Sequence, residues 1–235
     1  MSMKKHILAG IFGSKDSISV SKNSNEQETL FPLTVGSDNR LNFRIGDTLK
    51  ELEKLNIFPS EVGLDLLILA AHVFAADTRI SRASESQDAW TRELKLLVPV
   101  SDPKLWNSSI NILQRMLNYL TGDRWEIEFR DRPKGFSKLV LDQPSSLFAS
   151  PYNIVQLFSG GLDSLIGAID ALESGNSPLL ISHAGDAATS DAQQVCYSAL
   201  KEYYKKSAFD RTRLWLNISS ELVKGVDRED TTRGR

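Results

Sequence analysis

The sequence is short of the features that most quickly assign a protein to a class. It has a single cysteine, Cys196, which excludes an internal disulfide, a CxxC redox pair and a zinc tetrad, so no zinc is expected. It has no surplus of positive charge: 28 Lys and Arg stand against 30 Asp and Glu, a formal charge of -2. Nothing of that kind holds a nucleic-acid backbone by counterion release, which argues against nucleic acid as a direct ligand. The longest apolar run, Leu64 to Ala76, is broken by Asp65 and His72 and falls short of the ~20 residues that span a bilayer. Met1 to Ala9 includes Lys4, Lys5 and His6 but no signal-peptide core with a cleavage site, so a cytoplasmic chain without a membrane partner is expected. Neither a Walker A loop nor a G-x-G-x-x-G fingerprint occurs, and no repeat recurs at a fixed period.

What is present falls into two patterned regions. The 235 residues, at roughly 150 per domain, allow one large domain or two small ones. A polar stretch from Asp131 to Ser150, with Pro133, Gly135 and Pro144, marks the boundary, giving domains at 1–145 and 146–235. Ser14 to Glu28 is rich in Ser, Asn, Gln and Glu and reads as one loop.

The first region mixes helices with strands and reads as an α+β module. Thr48 and Glu51 match a capping box, with Leu49, Leu52 and Leu55 as the apolar face of a helix over 48–56. A second helix starts at Ser60, and its nearly all-apolar stretch suits a buried position in which Asp65 and His72 must be hydrogen-bonded. Leu94, Leu96, Val98 and Val100 alternate as a strand. Trp106, Ile110, Leu113, Leu117 and Leu120 then recur at helical spacing up to Thr121 and Gly122. Trp125, Ile127 and Phe129 alternate with Glu126, Glu128 and Arg130, a strand with one wet face. Tryptophans at such spacing read as core rather than as a base-stacking surface.

The second region carries the chemistry. A short β-forming run, Tyr152 to Phe158, suits a strand buried on both faces. It leads into Ser159-Gly160-Gly161-Leu162-Asp163-Ser164 and then a helix through Leu165, Ile169 and Leu172 to Ser174 and Gly175. Two glycines let the backbone approach an anion, and the first turn of the helix points free N–H groups and a positive dipole end at it. Ser159 and Ser164 offer hydroxyl donors. Asp163 would repel phosphate unless Mg²⁺ bridged it to a pyrophosphate, since hard cations take carboxylate and phosphate oxygens together. The competing reading of the same residues is a tight turn with Asp163 capping a helix. Further strands are expected at 177–182 and 213–218, with a helix over 190–206 between them. On that helix Cys196 reads as a packing residue.

Ser159 to Ser164 after a strand resembles the PP-loop of the ATP pyrophosphatases. The second region is similar to the QueC family of 7-cyano-7-deazaguanine synthases. With the Asp88 to Leu94 and Pro99 to Trp106 runs, the first region resembles the extension of QueC-like proteins of anti-phage defence operons, the QatC type. The resemblance implies an α/β chain in which the amino-terminal module precedes an incomplete Rossmann-like parallel sheet with flanking helices. It implies ATP and Mg²⁺ as cofactors and cleavage of ATP to AMP and pyrophosphate. A carboxylate such as that of a 7-deazaguanine would be adenylated and then attacked by a nitrogen nucleophile. Carried over by position, Ser159, Gly160, Gly161, Asp163 and Ser164 hold pyrophosphate and its metal. Asp163 and Ser164 are the catalytic candidates, and His183, Arg233 and Arg235 are candidate nucleotide contacts.

The chain departs from that pattern in two respects. It lacks the cysteine cluster that holds zinc in the QueC family, and from Pro151 it is too short for a full doubly wound sheet, so a product truncated at its carboxyl end is expected. The implied partners are a deazapurine or amine acceptor and another protein of the same operon. An inactive ATP-binding or docking subunit is the alternative.

Overall fold

The computed structural model describes residues 4–18, 23–86, 89–141, 150–183 and 187–224. In chain order its elements are β1 (Lys5–Ile11), β2 (Glu26–Pro32), β3 (Thr34–Val35), β4 (Arg40–Leu41), α1 (Ile45–Lys54), α2 (Glu61–Arg79), α3 (Arg82–Glu85) and β5 (Glu93–Val100). They continue with α4 (Pro103–Ser108), α5 (Ile110–Thr121), β6 (Arg124–Asp131), β7 (Ile154–Leu157), α6 (Leu162–Glu173), β8 (Pro178–His183), α7 (Ala187–Tyr203) and β9 (Asp210–Leu214). Two compact units divide the chain, one from Met1–Asn42, Ser60–Val140 and Ile218–Arg235, the other from Phe43–Pro59 and Leu141–Asn217. The boundary expected at 145 falls among residues 142–149, outside the described residues.

The chain is an α/β protein. Its largest sheet lies in the first unit, in the order β2-β1-β5-β6, with every ladder parallel. Parallel neighbours need long crossovers, and α4 with α5 supplies the one between β5 and β6. One sheet face is apolar: Leu94, Leu96 and Val98 stand beside Trp125, Ile127 and Phe129, all buried. The Trp106 ring lies tilted 5.4 Å from that of Phe129, and Trp106 and Trp125 are both buried in the core. The other face mixes the small cluster of Ile7, Ala9 and Leu97 with a charge ladder. In that ladder Lys95 bonds Glu126 at 2.8 Å and Glu128 at 2.9 Å, and Lys5 bonds Glu126 as well.

Two buried charged centres fasten this unit. Asp65, on α2, is fully buried and accepts from Ser101 N–H (2.9 Å), Ser101 Oγ (2.6 Å) and Trp106 Nε1 (3.1 Å), and it pairs with Arg132. Arg92, fully buried just before β5, pairs with Asp123 at 2.6 Å and Asp77 at 2.8 Å and donates to the carbonyl of Ile80. A buried charge is tolerated only when partnered; all three nitrogens of the Arg92 side chain are bonded, and both oxygens of Asp65 are.

Several boundaries differ from the sequence expectation. The first helix starts at Ile45, behind Arg44 in the left-handed region (φ 63°), and Thr48 Oγ donates back to the Arg44 carbonyl at 3.2 Å instead of capping. The helix expected through Trp106 to Leu120 is two, broken at Ser109 (φ -107°, ψ 2°). The segment 14–28 is not all loop: β2 begins at Glu26, and β1 was not anticipated. The strand expected at 213–218 is Asp210–Leu214, because its partner β8 ends at His183, which pairs Leu214. Ser60 caps α2 through Gly63 N–H at 3.1 Å, and Gly122 (φ 73°) closes α5.

His72 is satisfied on one side only. Its Nδ1–H donates to the Ile68 carbonyl at 2.8 Å, its ring lies 4.5 Å from that of Phe31, and Nε2 has no partner among the described residues. Burial pushes its pKa down to about 4, from 6.5. The unfolded chain therefore binds this proton between those two values while the folded chain does not. The histidine's contribution to stability is whole above about pH 6.5 and is lost as pH falls toward 4, amounting to about 3 kcal/mol. Urea unfolding at pH 7 and pH 4.5 should show this loss, and His72→Leu should flatten the slope; an unchanged slope would refute the assignment.

Candidate functional site

The second unit is a parallel sheet in the order β7-β8-β9. α6 and α7 pack on one face around Phe158, Ala168, Leu172, Leu180, Leu200 and Phe209. In such sheets the carboxyl ends of the strands carry the ligand, and the Ser159–Ser164 turn stands there. It is held from beneath by Phe158, whose N–H donates to the Ile181 carbonyl at 2.7 Å and whose carbonyl accepts from Ser182 Oγ at 2.7 Å. β7 itself is not buried on both faces, contrary to expectation. Val155 and Leu157 are 70% and 79% exposed, since the helices cover only the face of Gln156.

The turn has a fixed shape. Gly160 adopts φ 81°, a region that favours glycine, and a Cβ there would lie 2.8 Å from the Gln193 backbone nitrogen on α7. Gly161 is extended (φ -86°, ψ 170°) and begins α6 with no side-chain cap on the helix. Ser159 Oγ and Ser164 Oγ lie 3.2 Å apart; Ser159 Oγ also accepts from Gly161 N–H at 3.4 Å, and Ser164 Oγ donates to the Gly161 carbonyl at 2.9 Å. Ser159, Gly161 and Asp163 are exposed to solvent. An uncapped first turn with exposed hydroxyls and a carboxylate suits an anion carrying a hard cation. The capping alternative for Asp163 is not realised, since Gly161 is the N-cap and Asp163 lies inside the first turn.

The five turn residues are thus together, and His183 ends β8 on the same edge, two residues beyond Ile181. Its side chain is exposed, and its carbonyl accepts from Gln193 Nε2 at 2.9 Å. Arg233 and Arg235 lie outside the described residues. Among the described residues no group of three His, Cys, Asp or Glu is placed to hold a metal ion. A cation at Asp163 would take its remaining ligands from the phosphates it accompanies and from water.

Three supporting residues were not singled out in the sequence. Gln193, fully buried, joins the His183 carbonyl to the Gly160 backbone, and its Oε1 has no partner among the described residues. Gln156 Nε2 donates to the Ser164 carbonyl at 3.2 Å, and Ser182 supports Phe158. A glutamine at helical spacing carries no mark of such a role. Cys196, half-buried, packs on the core and places its Sγ 3.6 Å from the Gly160 carbonyl, a packing role with a weak hydrogen bond added.

The two glycines should respond unequally. Gly160→Ala meets both an unfavourable φ and the Gln193 backbone, and should destabilise the unit by about 2 kcal/mol or more. Gly161→Ala meets only Ser159 Oγ at 3.6 Å and should change stability by less than about 0.5 kcal/mol. Equal effects in paired thermal or urea melts would show that Gly160 is not held against α7.

No family model, no curated protein and no solved structure matches this chain.

Proposed function

We propose that the chain is a QueC-like, ATP-dependent enzyme that forms AMP and pyrophosphate, with Ser159–Ser164 as its pyrophosphate cradle. One observation carries the reading: a glycine turn at the carboxyl end of a parallel strand leaves the first turn of a twelve-residue helix uncapped beside two hydroxyls and a carboxylate. The amides of that turn and the hydroxyls of Ser159 and Ser164 would donate to phosphate oxygens, and Asp163 would hold Mg²⁺. When bound, that cation would supply positive charge beside a departing pyrophosphate. His183, at the end of the neighbouring strand, contacts the nucleoside.

In the reaction, a carboxylate oxygen of the acceptor attacks the α-phosphorus of ATP. The bond from that phosphorus to the β-phosphate oxygen breaks and pyrophosphate leaves. A nitrogen nucleophile then attacks the acyl carbon and AMP departs, giving an amide, with the surplus proton passing to solvent. The protein's part is to hold the reacting atoms in line. The acceptor class is a 7-deazaguanine carboxylate or another acid that ends joined to an amine, and the setting is anti-phage defence with a protein partner of the same operon.

The test is release of AMP and pyrophosphate from ATP and Mg²⁺ with 7-carboxy-7-deazaguanine and ammonium. Equimolar products are expected, and Asp163→Asn should lower the rate about 100-fold, the size of losing one electrostatic contact to the leaving group. Asp163→Asn should leave thermal stability within about 1 kcal/mol, because it changes an exposed side chain in the first helical turn. Failure of ATP to bind would overturn the reading. ATP binding with no AMP would replace the enzyme by an inactive ATP-binding subunit.

A further inference from the structure

The second unit carries a cleft of about 600 Å³, walled by α1, by β9 with the residue that follows it, and by Tyr197 of α7. That volume falls in the range of small-molecule sites, and none of the turn residues lines it. Five cationic side chains face it against two acidic ones. Both acids are engaged locally, Asp47 with Arg44 at 3.3 Å and Glu51 with Lys54 at 2.6 Å. Lys50, Arg211 and Arg213 have no carboxylate within ion-pair distance among the described residues.

Those cations are arranged, and two of them are anchored. Arg211 and Arg213 alternate on one face of β9, so their charges are near neighbours. Arg211 lies 4.6 Å over the Tyr197 ring and donates through Nη2 to Gln194 Oε1 at 2.5 Å, while its Nη1 is buried with no partner among the described residues. Burial, and then the like charge of Arg213, pulls the Arg211 pKa below its usual value. Arg213 donates to Ser190 Oγ at 3.2 Å. The Trp215 ring lies 5.9 Å from the Arg213 guanidinium and 5.6 Å from that of Arg44. Thr212 Oγ1, also buried, has no partner among the described residues.

Two adjacent guanidinium groups without a counter-charge among the described residues, with a third cation lining the same cleft, form a surface that an anion of at least two charges completes. Guanidinium forks match phosphate oxygens in geometry, and a tryptophan flanked by cations offers a ring on which an aromatic group stacks. We propose that this cleft binds a phosphorylated aromatic ligand of the nucleoside monophosphate class, with its phosphate on Lys50, Arg211 and Arg213 and its ring on Trp215. The site is separate from the glycine turn and does not depend on the activity proposed there.

The probe is uridine monophosphate, titrated into the whole protein in EDTA by calorimetry and by tryptophan fluorescence, beside inorganic phosphate. Uridine monophosphate should bind and alter the emission, and that change should vanish in Trp215→Phe. Lys50→Gln and Arg213→Gln should each weaken binding about tenfold, the size of one lost charge-assisted contact, and added salt should weaken it further. Lys50 is exposed on α1, so Lys50→Gln keeps the test informative if Arg213→Gln fails to fold. The pair Ser159→Ala and Ser164→Ala should leave this affinity unchanged. Absence of binding at millimolar concentration, or binding indifferent to Lys50→Gln in a folded protein, overturns the site. Binding abolished by the serine changes overturns it too, by placing the ligand on the turn. Equal affinity for inorganic phosphate overturns the aromatic part.

Discussion

Parallel strand pairing is the constraint from which the molecule's working geometry follows. Two parallel neighbours cannot be joined by a tight hairpin, so the chain must return along a helix before the next strand begins. In the second unit that rule puts α6 between β7 and β8 and α7 between β8 and β9. It also brings the end of β7, the start of α6 and the end of β8 to one edge. The Gly160 turn is where the chain leaves the sheet for the helix, and its approach to Gln193 locks that exit to α7. A helix start exposed at a sheet edge is a consequence of this topology. What the particular residues add is the absence of a cap and the presence of hydroxyls.

The first unit solves a different problem with the same pairing. Its sheet has an apolar face and a face laced with Lys95, Glu126 and Glu128, and its connections are fastened by charges removed from water. Arg92 and Asp123 precede adjacent strands, and Asp77 adds the end of α2, so one guanidinium fixes three segments. Asp65 does the same for α2, the Ser101 turn and α4. Taking such ions out of water is expensive unless every lone pair and proton is met, which ties the register of these segments to each other.

Much of this arrangement was legible in the sequence where periodicity and punctuation agreed. Trp125, Ile127 and Phe129 alternate with charged residues and do form a half-wet strand; Ser60 and Gly122 punctuate helices as their chemistry suggests; strand, glycine turn and helix follow one another from Ile154 to Glu173. Other parts were hidden for physical reasons. β1 is buried along Ile7 to Gly10 and shows no alternation, while β2 is polar enough, at Glu26 to Thr29, to pass for loop. Thr48 has the letters of a cap, but the chain turns left-handed at Phe43 and Arg44 and starts its helix earlier. Buried Arg92 and Arg132, and the bridging Gln193, depend on partners remote in sequence, and no local pattern announces them. For the candidate site, the turn was readable and its supports were not.

The partial cover of β7 has a practical corollary. Its backbone pairs with β8 alone among the described residues, and two large aliphatic groups stand in solvent beside that open ladder. Bare, apolar strand margins of this kind are where like molecules stick. Concentrated samples should therefore be prone to salting out and slow precipitation, and a lysine in place of Val155 is the natural remedy for anyone preparing the protein at crystallographic strength.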